Sequence, residues 1–258
     1  MKALFRISAA LISIVASSRV VDGRLAARLA LRHLQPQLLF NCDVSDLKVP
    51  VPAGQANLTI PTDQKIRFVT VGVGVQNYTC ADTGKYATAG AVASLYDVSC
   101  ITKLPLFTDI QINLFNALTT NDSRAVVDQL LLAATLKLAD HYFITEPPAT
   151  AIIPFFDFRA ALKDDDEYVA APKKAGITSP DGAENIDWTQ LAAINGTAAS
   201  TVFRVHTHLG QPPSSCLAGE TISAPYAAQY WFYQTPADDD GGDGDDDDDR
   251  IQPDVTST

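Results

Sequence analysis

Residues 66–75 read IRFVTVGVGV, and this run restricts the fold more than any other part of the chain. Side chains on a strand alternate between its two faces. Val71, Val73 and Val75 therefore share one face, with Gly72 and Gly74 opposite. Bare backbone on one side of a strand lets something large pack closely against it. The inward rhythm is expected to continue through Tyr78 and Cys80. Further β-rich runs fall at 87–98 (ATAGAVASLYDV), 141–145, 151–158, 168–171, 200–208 and 229–234. One stretch reads as helix: within 124–138, Val127, Leu130, Leu131, Ala134 and Leu138 share a face, with Asp122 or Ser123 as cap. The expected fold is mainly β, a single-domain β-sandwich or distorted barrel with one or two helical insertions.

The chain has 258 residues, 47% of them hydrophobic, enough to bury a large core. That core is expected within a β-rich domain spanning 41–236. Residues 1–18 have the layout of an export signal: Lys2 at the start, an apolar heart at 11–15, and Ala16, Ser17 and Ser18 for cleavage. The apolar run is too short to span a bilayer, and Arg6 interrupts it. No spanning segment or lipid-anchor signal follows, so stable membrane insertion is not expected. Residues 19–40 read as a pro-segment or linker, although Arg24, Arg28 and Arg32 at helical spacing would also suit an amphipathic helix. The stretch 237–258 holds ten Asp and one Arg, so −9 of the formal charge of −11 sits there. It is expected to be a disordered acidic tail. The remainder is nearly neutral and offers no basic face to a nucleic acid.

Two features agree with export. Cys42, Cys80, Cys100 and Cys216 are even in number and contain no CxxC pair, which suits disulfides over a zinc ribbon. Spacing alone leaves all three pairings open. Four N-glycosylation sequons, at Asn57, Asn77, Asn121 and Asn195, form the second feature. The expected location is extracellular or cell-wall.

Several separated motifs then appear in order: Gly72-Val73-Gly74-Val75-Gln76-Asn77-Tyr78-Thr79-Cys80, Gly90-Ala91-Val92-Ala93-Ser94-Leu95-Tyr96-Asp97, Phe203-Arg204-Val205-His206-Thr207, Pro212-Pro213-Ser214-Ser215-Cys216, and Pro225-Tyr226-Ala227-Ala228-Gln229-Tyr230-Trp231-Phe232-Tyr233. Over 41–233 the chain resembles a secreted, largely fungal family with bacterial relatives, filed as a domain of unknown function. The resemblance implies export and a β-rich fold, and it brings no established activity or catalytic residue. Bacterial relatives keep counterparts of Cys80 and Cys216 only, so it also implies the pairs Cys80–Cys216 and Cys42–Cys100. Some members carry an automatic label of malate dehydrogenase, which these residues do not support. Gly72-Val73-Gly74 lacks the third glycine and the following helix of a dinucleotide site. No cofactor is expected.

Among chemically capable groups, His206 and His208 stand at i and i+2, and on a regular strand they would face one way and could share a metal, with His141 as a third ligand. The alternative is a solvent-facing pair that binds nothing. No Gly-x-Ser-x-Gly elbow is present, and disulfide cysteines are not nucleophiles. Asp157, Asp187 and Glu184 could serve glycoside hydrolysis only if the fold pairs two of them. Asp157, between Phe156 and Phe158, either has a raised pKa or faces water. The acidic run 164–167 lacks EF-hand spacing and reads as a solvated charge cluster. Tyr226, Trp231 and Tyr233 form a possible ligand-stacking face, while Trp188 reads as core. The favoured expectation is a non-catalytic binding domain for a glycan or other surface component. An extracellular hydrolase and a host-directed effector stand as alternatives.

Overall fold

The computed structural model describes residues 42–119, 137–145 and 151–236. Both assigned termini, 1–18 with 19–40 and 237–258, therefore lie outside the described residues, as does Asn121. The alternating run belongs to a long strand, β1 (Lys65–Cys80), paired with β2 (Tyr86–Asp97) on one side. Seven more strands follow among the described residues: β3 (Lys137–Thr145), β4 (Ile152–Asp157), β5 (Tyr168–Ala170), β6 (Lys173–Ile177), β7 (Trp188–Ala192), β8 (Thr201–Leu209) and β9 (Thr221–Gln234). All lie in one sheet of order β5-β4-β3-β2-β1-β9-β8-β7-β6, each paired antiparallel to its neighbour. The mainly β expectation therefore holds, as a single curled sheet.

Ring contacts measure the curl. Phe156 on β4 and Phe232 on β9 are four strands apart, about 19 Å in a flat sheet. Their ring centroids lie 5.3 Å apart. The face carrying them is therefore strongly concave. Glycines permit this bend, because a Cβ on Gly72 would stand 2.7 Å from the Tyr230 ring. Tyr230 is the large group that the bare side of β1 receives. The curl brings the sheet's two ends together: Ala170 of β5 bridges Asn195, just beyond β7, and the Ile194 amide donates to Ala170 at 2.9 Å. Arg67 on β1 forms a two-pronged ion pair with Glu167 before β5, both contacts at 2.7 Å.

Among the described residues the two main cores lie one on each face, with a smaller cluster of Ile153, Phe155 and Ala170 beside them. The concave core contains Leu95, Phe156, Phe158, Val202, Tyr226, Tyr230 and Phe232. The convex core contains Val69, Val71, Phe203, Val205, Trp231 and Tyr233. It is covered by α1 (Ile110–Thr119), through Ile110 and Leu114, and by the segment before β1, through Val44, Val49 and Leu58. The Val49 amide donates to the Tyr233 hydroxyl at 3.0 Å, and Thr59 and Gln190 exchange two hydrogen bonds at 2.9 Å. A second short helix, α2 (Arg159–Leu162), follows β4.

Three corrections concern elements. Helix α1 and strands β6 and β7 fall in none of the expected runs. The expected helix at 124–138 lies mostly outside the described residues, and its last two, Lys137 and Leu138, begin β3. Tyr78 and Cys80 are buried, but strand parity places them on the face of Gly72 and Gly74, opposite the valines. Both disulfides are present, Cys42–Cys100 and Cys80–Cys216, with Cα separations of 5.0 and 5.9 Å. The first holds the convex covering segment, and the second ties the end of β1 to the loop between β8 and β9.

Candidate functional site

The curl leaves a cavity of about 470 Å³ on the concave face. Its depth is formed by Tyr230 from β9, Phe156 from β4, Ile186 before β7 and Leu191 on β7, all buried. Thr88, Ile152, Lys173 and Gln211 stand at its exposed rim. Between depth and rim lie four polar groups whose positions follow from strand alternation: Gln76 and Tyr78 on β1, His141 on β3 and Arg204 on β8. Arg204 pairs directly with Tyr230, so both side chains enter the concave side.

Arg204 supplies positive charge inside the cavity, below Lys173 at the rim. Its Nε and Nη2 donate to the Asp187 carbonyl at 3.2 and 3.0 Å. A guanidinium carries five N–H donors, so even with the Tyr230 hydroxyl as a further partner some donors stay unused. Among the described residues no carboxylate lies within ion-pair distance of it. The nearby Asp187 carboxylate instead faces Lys173, at 3.8 Å.

Gln76 is 5% exposed, and its Nε2 donates to Thr88 Oγ1 and to the Gly90 carbonyl, each at 3.0 Å. A carbonyl can only accept, which fixes the amide orientation. Oε1 is then a buried acceptor with no partner. Such an atom costs about 1–3 kcal/mol unless something donates to it.

His141 lies stacked on Phe156, with centroids 4.3 Å apart, and its Nδ1 donates to the Phe155 carbonyl at 2.9 Å. The neutral ring thus keeps Nε2 as an acceptor. Burial pushes its pKa down to about 4, so it is uncharged at neutral pH. Tyr78 donates to the Gly210 carbonyl at 2.8 Å, and burial pushes its hydroxyl up to about 12. Tyr226 and Tyr230 share a 2.8 Å hydrogen bond, and burial raises both pKa values. None of these tyrosines is an acid or base near neutrality.

The three candidate metal ligands, His206, His208 and His141, are not brought together. A bulge in β8 between Val205 and His208 breaks the two-residue alternation, and His206 adopts φ of 46°. His206 lies edge-on to Trp188 and 3.7 Å from Asp181, whereas His208 packs edge-on against Phe115 of α1. Both partners flank the convex side, and His141 is in the cavity on the other. Among the described residues no three His, Cys, Asp or Glu groups are placed to hold a metal.

Asp157 is outside the cavity. It takes two hydrogen bonds from the Arg159 side chain, at 2.9 and 2.8 Å, and these hold its pKa below the usual carboxylate range. The flanking aromatics do not raise it. Among the described residues Asp187 is the one carboxylate in the cavity wall, and Glu184 is an exposed loop residue. The stacking face is corrected too: Tyr226, Trp231 and Tyr233 are 0%, 3% and 2% exposed. From Tyr226 to Tyr233 both faces of β9 are buried, so these aromatics form no exposed platform for a glycan.

Trp188 is buried, its indole donating to Asp181 at 3.0 Å. The acidic run 164–167 forms a turn, with the Asp166 amide bonded to Asp164 Oδ1. Asn57 and Asn195 are exposed, and Asn77 is half-buried within β1. Arg204, Gln76 and Tyr78 were not singled out from sequence as functional. A lone arginine in the apolar run Val202-Phe203-Arg204-Val205 was the available signal.

A family model described as "Protein of unknown function (DUF3455)" matches residues 61–234, a span containing every residue of the cavity wall. No curated protein matches the chain, and no solved structure does.

Proposed function

We propose that this chain, which belongs to the DUF3455 family of proteins of unknown function, is an extracellular binding domain whose curled sheet holds a small organic ligand in the concave cavity. One observation carries the reading: a cavity of about 470 Å³ with an apolar, aromatic depth and a few convergent polar groups. Ligand sites have that construction, with apolar walls supplying contact area and sparse polar groups fixing orientation. Export is supported by the two disulfides, which persist in oxidising compartments. No helix among the described residues is long and apolar enough to cross a membrane.

The occupant differs from an extended glycan lying on an exposed aromatic face, since that face is core. Hydrolysis is less well supported than binding. Two-carboxylate chemistry needs a second acid beside Asp187, and a metal centre needs three ligands placed together; among the described residues the cavity wall offers neither. The host-directed effector reading rests on the resemblance alone, and no structural observation favours it.

Ligand-observed NMR with a fragment set of acids, amines and neutral rings tests the proposal. Saturable binding to the wild type that is lost in Leu191→Trp, with its fold checked by the amide spectrum, is the expected result. Thr189→Phe serves the same purpose where Leu191→Trp does not fold. No saturable fragment, or binding unchanged by filling the cavity, would overturn it.

A further inference from the structure

Two residues of the cavity wall carry groups whose hydrogen-bonding capacity is not fully met. Arg204 is a half-buried cation with unused donors and no carboxylate on it, and Gln76 Oε1 is a buried acceptor with no donor. They make opposite demands. A guanidinium is met by an anion that accepts hydrogen bonds, best by a planar carboxylate. The amide oxygen is met by a hydroxyl or N–H. The walls between are rings and aliphatic groups (Phe143, Pro154, Phe156 and Tyr230), which suit a flat apolar body. His141 Nε2 is a further acceptor on the same wall, so hydrogen-bond donors on the ligand are met twice.

We propose that the cavity selects small cyclic hydroxycarboxylic acids, with Arg204 anchoring the carboxylate and Gln76 Oε1 accepting from the hydroxyl. This deepens the binding reading above and rests on it. The selectivity has a physical basis. A neutral or cationic ring leaves the guanidinium unpaired in a partly desolvated site, and a ring without a donor leaves Gln76 Oε1 unsatisfied. Lys173 stands at the rim, 54% exposed and facing Asp187, so it attracts the anion without holding it.

The test is calorimetric titration of the intact protein with 4-hydroxybenzoate, 4-hydroxybenzamide, benzoate and tyramine. On the unmutated chain 4-hydroxybenzoate should bind at least tenfold more tightly than the isosteric amide, and more tightly than benzoate. Tyramine, a cation, should bind most weakly. Arg204→Gln should remove the preference for acid over amide, and Gln76→Leu should remove the preference for 4-hydroxybenzoate over benzoate. Equal affinity for acid and amide on the unmutated protein would overturn the proposal even where a variant does not fold. If amides or amines bind in the cavity and acids do not, the anion assignment falls while the binding reading stands. If none of the four binds and the fragment screen is also empty, both fall.

Discussion

Gly72 and Gly74 differ in what a methyl group would strike. A Cβ on Gly74 would lie 2.0 Å from the Val92 backbone oxygen, and on Gly72 2.7 Å from the Tyr230 ring. A ring shifts more readily than a paired backbone. Gly72→Ala should cost about 1–3 kcal/mol, and Gly74→Ala more than about 3 kcal/mol. Urea midpoints at constant m give the order, and the reverse order would contradict the close approach on β1. His141 supplies a pH signature. Its pKa falls from 6.5 to about 4 because burial disfavours the cation. The unfolded chain therefore takes up a proton that the folded chain refuses. Stability is full above the unfolded value and declines as pH falls from there toward the folded one. Between about pH 7 and about pH 5 the wild type should lose about 2 kcal/mol more than His141→Gln. Matching losses would place a charged imidazole in the cavity. At this scale sequence conveyed that something large faces Gly72, but not that it is Tyr230. Nor could it show which histidine would be isolated, because one extra residue in β8 redirects His206 and His208.

Strands were legible where alternation or apolar runs were long, and poorly legible where pairing comes from elsewhere in the chain. The first half of β9 contains Pro225, which removes a backbone donor and argues against a strand. It is tolerated because the pairing with β8 ends at Tyr226, so Pro225 has a strand neighbour only in β1. Strands β6 and β7 are short and carry lysines and polar residues, so their pattern is weak. Helix α1 was hidden by its apolar residues, which read equally well as strand. At the same scale, Arg67 and Glu167 tie β1 to the entry of β5. Their side chains are 27% and 14% exposed. Glu167→Gln leaves the guanidinium underpaired and should cost about 1–3 kcal/mol in urea unfolding. No change would mean that the tie does not hold the curl.

For the whole molecule, sequence conveyed the class and not the closure. Mainly β with disulfides follows from alternation, cysteine count and resemblance. Whether the strands make two sheets or one depends on which distant strands pair, and no local pattern encodes that. The cavity is a product of the curl, so its wall could not be read off either. Gln76, His141 and Arg204 sit on three strands that share no spacing. The disulfides close loops of 58 and 136 residues. Chain entropy assigns them about 4 and about 5 kcal/mol. Removing Cys80–Cys216 by double alanine substitution should lower thermal stability at least as much as removing Cys42–Cys100. It should also weaken ligand binding, since the freed loop carries Gln211 at the rim.

The central claim is that the concave cavity is where this protein binds its ligand. Methyl-resolved NMR of the intact chain, titrated with the acid, amine and neutral fragments, tests it most directly. Ile186 and Leu191 report the cavity, while Ile110 and Leu114 report the convex core. Saturable shifts at the first pair with the second pair unmoved are the predicted result. Shifts confined to the convex pair, or no saturable shift with any fragment, would contradict it.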